Sequence, residues 1–465
     1  MKRIKVGFLP LYNKLYDDYT GPRLRAPMEA YMAQCVKELE ARDISLVLAD
    51  VCRIAPEFEA AADLFNRENV DAVITMHLAY SPSLESIQAL LKLEAPIIVF
   101  DTTTHYELLQ AQATENRIFP NHGIHGVQDL CNLLKRNARA YDLCVGHIRQ
   151  PGLMDQLVGC CRAAAVKKAY NTMRVGTAGG SFAGMGDFLI SPEDYKNAIG
   201  AQVVALTPDV ANIYLDQVTP EEIRAEQEKD AEKYRVEVKN QDNYDLATKA
   251  GLALRKWMAA ENLGAVTVNF STVSASGLPK MPFAECCKVL ERNQGYAGEG
   301  DVLTAGLVGA LAAVYPKTTF AEMFCPDWEQ DVLLLSHYAE SNPNLSQWKP
   351  RLLDVGMPYD PTGNSVGIYT CAQEGDVCIV NLAPVQEGFA LILCPGKLLN
   401  VGMEDSAYRR DTQGWFQPNK KLPQFLKEYS LAGGTHHSAM VYDVDLEELK
   451  TFGRMMGFQV VVINE

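Results

Sequence analysis

At 465 residues the chain is too long for one hydrophobic core, so two or three domains are expected. Its 48% apolar and 22% charged residues are ordinary for a soluble globular protein. A formal net charge of −15 with no basic block argues against nucleic acid or an anionic membrane as partner, because either needs a positive stripe. Twelve cysteines are scattered without a Cys-x-x-Cys pair, which reads as a reduced, cytoplasmic chain. The first ten residues start basic and turn apolar, but the apolar part is too short for a secretion signal and breaks at Pro10. They read as a buried strand.

Residues 1–173 alternate strand and helix signals. Apolar runs at 4–9, 44–51, 72–78 and 96–100 are separated by helical patterns at 27–41, 56–69 and 83–93. The first of these helices carries Met28, Tyr31, Met32, Cys35, Val36 and Leu39 on one face. This alternation implies a parallel sheet covered on both faces. Ligands gather beyond the carboxyl ends of such strands, which directs attention to 11–20, 77–82 and 101–105. A loop at 120–126, Pro-Asn-His-Gly-Ile-His-Gly, follows, with His122 and His125 in a glycine-punctuated turn. Each reads either as a surface or capping histidine or as a contact to a sugar or other substrate.

Residues 174–315 read as a second α/β unit. The stretch 178–187 is dense in glycine but lacks the spacing and the Lys-Ser/Thr ending of a P-loop, so it reads as a loop of close approach. Thr219-Pro220-Glu221-Glu222 is a helix start with a capping box. The charged run from there to Lys239 is expected to be a solvated face. A helix at 243–261, a strand at 265–270 and a helix at 283–292 lead to Gly-Tyr-Ala-Gly-Glu-Gly-Asp at 295–301. There Glu299 stands in a glycine-rich turn, and Asp301 caps an apolar helix at 302–315. That helix is shorter than the roughly 20 residues a membrane span requires.

From 316 to 465 strand signals follow one another at 318–324, 332–338, 366–371, 377–383, 389–393 and 440–444. They suggest an antiparallel sheet or small barrel. A hairpin centred on Glu329–Gln330 would set Glu322 directly opposite His337, on one face. His436 and His437 are adjacent, and in extended backbone neighbours point to opposite faces. One imidazole would then reach an ion and the other would orient it or meet substrate. Glu299, Glu322, His337 and the His436–His437 pair thus supply carboxylates and imidazoles, a hard-to-borderline metal set.

Four motifs together resemble the L-arabinose isomerase family: Glu299 in Gly-Glu-Gly-Asp, Glu322 in Thr-Phe-Ala-Glu-Met, His337 in Ser-His-Tyr, and His437 in Gly-Gly-Thr-His-His. Their order and approximate spacing are similar to that family's four metal ligands. His77-Leu-Ala-Tyr-Ser-Pro82 resembles a family segment, with Tyr80 as its substrate-lining aromatic. Lys14-Leu-Tyr16 is similar to the N-terminal substrate loop, and Asn121-His-Gly-Ile-His-Gly126 to another in which His125 is kept and His122 replaces glutamine. Met185 falls where the family has a substrate-lining methionine. After Glu322 the chain departs from the family, reading Met323-Phe-Cys-Pro-Asp-Trp328 in what the family uses as part of its substrate wall.

The resemblance implies two doubly wound α/β domains, 1–173 and 174–315, followed by a β-barrel-containing domain, 316–465. It implies an enzyme that interconverts L-arabinose, or a similar aldose, and its ketose through a cis-enediol. Glu299 and Glu322 would be both catalytic residues and metal ligands, with His337 and His437 completing the shell around Mn²⁺, Co²⁺ or Mg²⁺. Tyr16, Tyr80, His122, His125, Met185 and His436 would meet the monosaccharide. Members are usually hexamers or tetramers, and in them the His125-type loop reaches a neighbour's active site. The alternatives are an isomerase for another sugar such as L-fucose, a non-catalytic sugar-binding protein, and a metal hydrolase with the same ligands.

Overall fold

A computed structural model describes residues 3–109, 117–356, 361–400 and 414–463, the side chain of Pro22 excepted. The chain divides into two compact units, 1–168 with 447–455, and 169–446 with 456–465.

The first unit is built on five parallel strands: β1 (Ile4–Leu11), β2 (Ile44–Leu48), β3 (Ala72–His77), β4 (Ile97–Asp101) and β5 (Tyr141–Val145), in the order β2-β1-β3-β4-β5. Side chains alternate along β1, so Val6 and Phe8 enter one core and Leu9 and Leu11 the other. The helices Ala26–Glu40 and Leu153–Asn171 cover the first face, and Ala55–Arg67, Ser83–Leu91 and Ile124–Arg136 the second. This is a doubly wound sheet. Its order reverses between β1 and β3, and the crevice at such a reversal lies beyond the carboxyl ends of the strands. Tyr12 and His77 follow or end those two strands. Lys14-Leu-Tyr16, likened above to a substrate loop, lies in the short helix Lys14–Thr20, which Asn13 caps by accepting the Leu15 N–H.

The second unit opens with another parallel sheet. Its strands are β6 (Arg174–Ala178), β7 (Gln202–Leu206), β9 (Ala265–Val268) and β10 (Gly295–Gly298), ordered β10-β9-β6-β7. The capping box at Thr219 is present, starting the helix Pro220–Lys233. The charged run beyond it is not a uniformly solvated face. Glu226 and Asp230 are buried, because Arg255 pairs with Glu226 and Lys288 reaches both carboxylates. Then β8 (Arg235–Val236) joins β13 (Arg351–Val355) and β14 (Ser365–Tyr369) in a small sheet, so the 366–371 run lies outside the barrel.

The barrel follows. Its strands are β11 (Thr318–Asp327), β12 (Val332–Ser336), β15 (Gly375–Val385), β16 (Gly388–Leu398), β17 (Gly414–Pro418) and β18 (His437–Tyr442). They run β15-β18-β11-β12-β17-β16, and β16 pairs back onto β15, closing the ring with every neighbour antiparallel. A seventh strand, β19 (Gln459–Val462), attaches to β16 in parallel. Ala321, Leu333, Leu335, Ile379, Ile392, Phe416 and Met440 share the packed interior. Glu322 and His437 therefore stand on the outer wall, by the two-residue alternation of β11 and β18. The helix Val302–Ala312 lies against that wall and against β10. It is apolar all round, and each of its residues is buried. Among the described residues no helix is long and apolar enough to cross a membrane.

Candidate active site

Glu299 sits on the turn between β10 and the helix Val302–Ala312, with φ +62°, in the left-handed region that L-residues avoid. Such a conformation costs about 1–3 kcal/mol and persists only where the surroundings enforce it. Two hydrogen bonds do so: the Glu299 N–H donates to Val268 O at 3.0 Å, and the Phe182 N–H donates to Glu299 O at 2.9 Å. The flanking glycines are required sterically. A Cβ on Gly298 would lie 2.7 Å from His337 Cε1, and one on Gly300, at φ +81°, would lie 2.1 Å from Gly180 O. The close approach expected of 178–187 is thus made by Gly180 against the Glu299 turn.

Asp301 has two roles. Its Oδ1 accepts the Thr304 N–H at 2.8 Å, capping the helix as expected. Its Oδ2 faces His437 Nδ1 at 3.1 Å. His437 is fully buried at the head of β18, and its other nitrogen, Nε2, lies 3.6 Å from Glu299 Oε2. His337 has a parallel arrangement. Its Nδ1 is in ion-pair contact with buried Glu340, without the alignment of a hydrogen bond, and its Nε2 faces Glu322 Oε2 at 3.8 Å. Phe320 stands edge-on to both imidazoles, with ring centres 4.9 Å from His437 and 5.0 Å from His337. Each histidine is backed by a carboxylate, the usual arrangement for orienting an imidazole towards a metal.

Glu299, His337 and His437 each offer one ligand atom within 4.8 Å of the others. The Nε2 of His437 is buried with no hydrogen-bond partner, a costly state for a polar atom that a bound cation would relieve. A carboxylate with two imidazoles suits a divalent ion of the Mn²⁺ or Co²⁺ type. Glu322 stands beside this trio through His337 rather than within it.

Glu322 does not oppose His337 as the hairpin reading required. It pairs with Ser336 across β12 and with His437 across β18. The turn does centre on Glu329–Gln330, but a register shift between Met323 and Cys325 leaves Phe324 as an extra residue. That bulge moves Glu322 by one position. The alternation expected for His436 and His437 also fails, because the chain bends at His436 and β18 begins only at His437. Both rings therefore face Glu299, with His436 Nε2 at 3.7 Å from Oε2 and the ring centres 4.2 Å apart.

The two glutamates are driven in opposite directions. Burial would raise Glu299, but contact with His436 and the fields of His337 and His437 outweigh it and hold its carboxyl below the ordinary value. At Glu322 burial prevails over the same histidines, and the carboxyl is raised. Burial would lower His337, yet Glu340, Glu322 and Glu299 push it up to about 9.

The remaining sequence candidates fall in two places. Met185 is half-buried in the 178–187 loop, where its N–H donates to Phe182 O at 3.3 Å. Tyr16, Tyr80, His122 and His125 gather in the first unit. Tyr16 OH and His122 Nε2 are 3.1 Å apart, Tyr80 stacks on His125 at 4.6 Å, and the two histidine rings meet at 4.9 Å.

Comparison with known proteins gives this geometry a family. Residues 196–315 match the L-arabinose isomerase central domain, and residues 317–459 the L-arabinose isomerase C-terminal domain. The L-arabinose isomerase of Aeromonas hydrophila subsp. hydrophila is 23% identical over 488 residues, covering 100% of this chain and 95% of its own length. That of Bifidobacterium animalis subsp. lactis is 24% identical over 425 residues, covering 87% and 82%. The chain belongs to the L-arabinose isomerase family. Membership places it among the sugar isomerases, which are intramolecular oxidoreductases. Among solved structures, a periplasmic solute-binding protein from Actinobacillus succinogenes 130z with bound D-allose shares 13% identity. That alignment spans 67% of this chain and 91% of that one, at a TM-score of 0.17.

At this candidate site, two carboxylates escaped the sequence reading. Glu340, three residues after His337, was hidden because nothing in a strand-like run marks a backing carboxylate. Asp301 was read only as a helix cap, and its second oxygen finds His437 through a contact spanning 136 residues.

Proposed function

We propose that this family member is a metal-dependent aldose–ketose isomerase acting on L-arabinose or a similar aldose. The observation that carries the reading is the convergence of Glu299, His337 and His437 around a buried, partnerless His437 Nε2. These three, with Glu322 alongside, would hold a divalent ion, Mn²⁺ or else Co²⁺ or Mg²⁺. When bound, that ion supplies Lewis-acid polarisation of the sugar's carbonyl and hydroxyl oxygens at C1 and C2.

The chain's own residues would divide the proton chemistry. Environments that push two carboxyls apart mark a base and an acid. Glu299, held ionised, takes the proton from C2. Glu322, whose carboxyl burial raises, delivers a proton to C1 and is reprotonated, through solvent, as Glu299 gives up the proton it took. The O2 proton passes to O1, so the aldose becomes the ketose through a cis-enediol with no change in composition. His436 and Met185 would meet the sugar in the second unit; Tyr16, Tyr80, His122 and His125, grouped in the first, are carried over from the family resemblance as sugar contacts. The three-domain division at 173 and 315, assembly as a hexamer or tetramer, and a cytoplasmic location are carried over as parts of this reading.

The test is chelation followed by restoration. Chelator-treated protein should produce no ketose from a panel of aldoses, and Mn²⁺ or Co²⁺ should restore the activity. Full activity in protein verified to be free of metal would refute the assignment.

A further inference from the structure

The glycine-rich loop after β6 has no phosphate to cradle in the reading above, yet it is pinned to the site at two points. The Phe182 N–H donates to Glu299 O at 2.9 Å. Phe188 is buried and stacks on His437, with ring centres 5.2 Å apart and planes only 7° from parallel. Between these anchors the loop turns through Gly184, at φ +97°. Asp187, beside the second anchor, reaches His436 twice. One carboxylate oxygen, Oδ2, accepts the His436 backbone N–H at 3.1 Å and faces its ring Nδ1 at 2.6 Å.

The consequence for His436 is geometric. Its side chain is about one-third exposed (31%) and lies on a bend ahead of β18, so packing alone does not hold it. Donation of the Nδ1 hydrogen to Asp187 fixes the ring's rotation. The opposite nitrogen, Nε2, is then aimed at Glu299 Oε2, 3.7 Å away. That gap is too long for a direct hydrogen bond. A sugar hydroxyl close to Glu299 would be within reach of the same Nε2.

We propose that Asp187 is a positioning residue for the reaction, fixing His436 in the rotamer that presents Nε2 to Glu299 and to the sugar. This rests on the isomerase reading for its catalytic consequence, but the orientation of the ring stands independently of it. Asp187 touches neither the metal-ligand trio nor, on this account, the substrate. A second duty of the loop follows: Phe188 fixes the plane of His437 while Asp187 fixes that of its neighbour.

The test compares wild type, Asp187→Ala, Asp187→Asn, His436→Ala and the Asp187→Ala/His436→Ala double variant. Misplacement of a positioned group by about 1 Å can cost on the order of 10²-fold in rate. Asp187→Ala should therefore lower kcat by roughly 10- to 100-fold, while Mn²⁺ affinity stays within about twofold of wild type because no ligand is removed. Asp187→Asn, which keeps an accepting oxygen, should recover part of the loss. The double variant should be no worse than His436→Ala alone, since one residue acts through the other. Wild-type kcat in Asp187→Ala, or additive losses in the double variant, would overturn the proposal. The ring's orientation has its own readout in the proton resonance of the His436 Nδ1–H, expected downfield in wild type and absent in Asp187→Ala. If wild type isomerises no aldose but that resonance behaves as described, the isomerase reading fails and the positioning stands. If the resonance is unchanged in Asp187→Ala, the positioning itself is wrong.

Discussion

At the scale of single residues, Glu299 concentrates the chemistry. It holds a backbone conformation that costs free energy, faces His436 and His437, and keeps its carboxyl ionised against the pull of burial. Replacement by glutamine preserves size and hydrogen-bonding capacity but removes the basic oxygen. Positioned acid–base groups contribute on the order of 10²–10⁴-fold. Glu299→Gln should fold with an unchanged circular dichroism spectrum and lose at least about 10²-fold in ketose formation. Activity near wild type in that variant would remove Glu299 from its role.

At the scale of elements, the helix Val302–Ala312 and the candidate metal site share Asp301. The two duties can be separated by substitution. Asparagine is as good an N-cap as aspartate, whereas alanine is worth about 1 kcal/mol less. A neutral amide facing His437 cannot orient or polarise the imidazole as a carboxylate does, and loss of such partners typically costs 10- to 100-fold in metal affinity. Asp301→Asn should therefore keep most of its thermal stability and still bind Mn²⁺ some 10- to 100-fold more weakly by titration calorimetry. Asp301→Ala should lose both. Equal Mn²⁺ affinity in wild type and Asp301→Asn would show that the carboxylate only caps the helix. The cap and the glutamate turn were legible because glycine, carboxylate and apolar run are local signals. The position of Glu322 was not, because a single bulge residue, Phe324, resets the register of β11 against β12. Local pattern fixes which faces alternate, but where a bulge falls is decided by packing across the sheet. The barrel was foreseen only as a class: β15 and β16 form a local hairpin, but β18 pairs with β11 and β15 from far along the chain, and strands far apart in sequence give no local sign of pairing. Asp187 was invisible for the same reason, being 249 residues from the histidine it holds.

At the scale of the whole molecule, the two compact units carry separate sensitivities. In the first, His77 is 3% exposed at the end of β3, and neither ring nitrogen has a partner. Burial pushes its pKa down to about 3 from an ordinary 6.5; Asp129 opposes the shift and His125 adds to it. The unfolded chain therefore binds a proton that the folded chain refuses at any pH between those values. Stability is fully present above about pH 6.5 and is lost as pH falls towards 3, by up to about 1.4 kcal/mol for each unit crossed. Because the nitrogens are unpartnered, His77→Phe replaces a ring without stranding another group. That variant should match wild type at pH 7.5 in urea unfolding and be the more stable of the two at pH 5. Parallel acid slopes in the two proteins would exclude His77 as the source. The parallel sheet that places His77 was readable from alternating apolar runs. Its lack of hydrogen-bond partners was not, since that depends on Gly126, from a separate segment, lying against the ring.

On the proposed function, a proton moves between C2 and C1 of an aldose under the control of Glu299 and Glu322. The most direct measurement incubates Mn²⁺-loaded protein with L-arabinose in deuterium oxide and follows C1 and C2 by proton NMR. The expected result is ketose formation with deuterium entering from solvent, abolished by chelation and by Glu299→Gln. Neither ketose nor exchange at C2, from verified metal-loaded protein given L-arabinose and then the wider aldose panel, would contradict it.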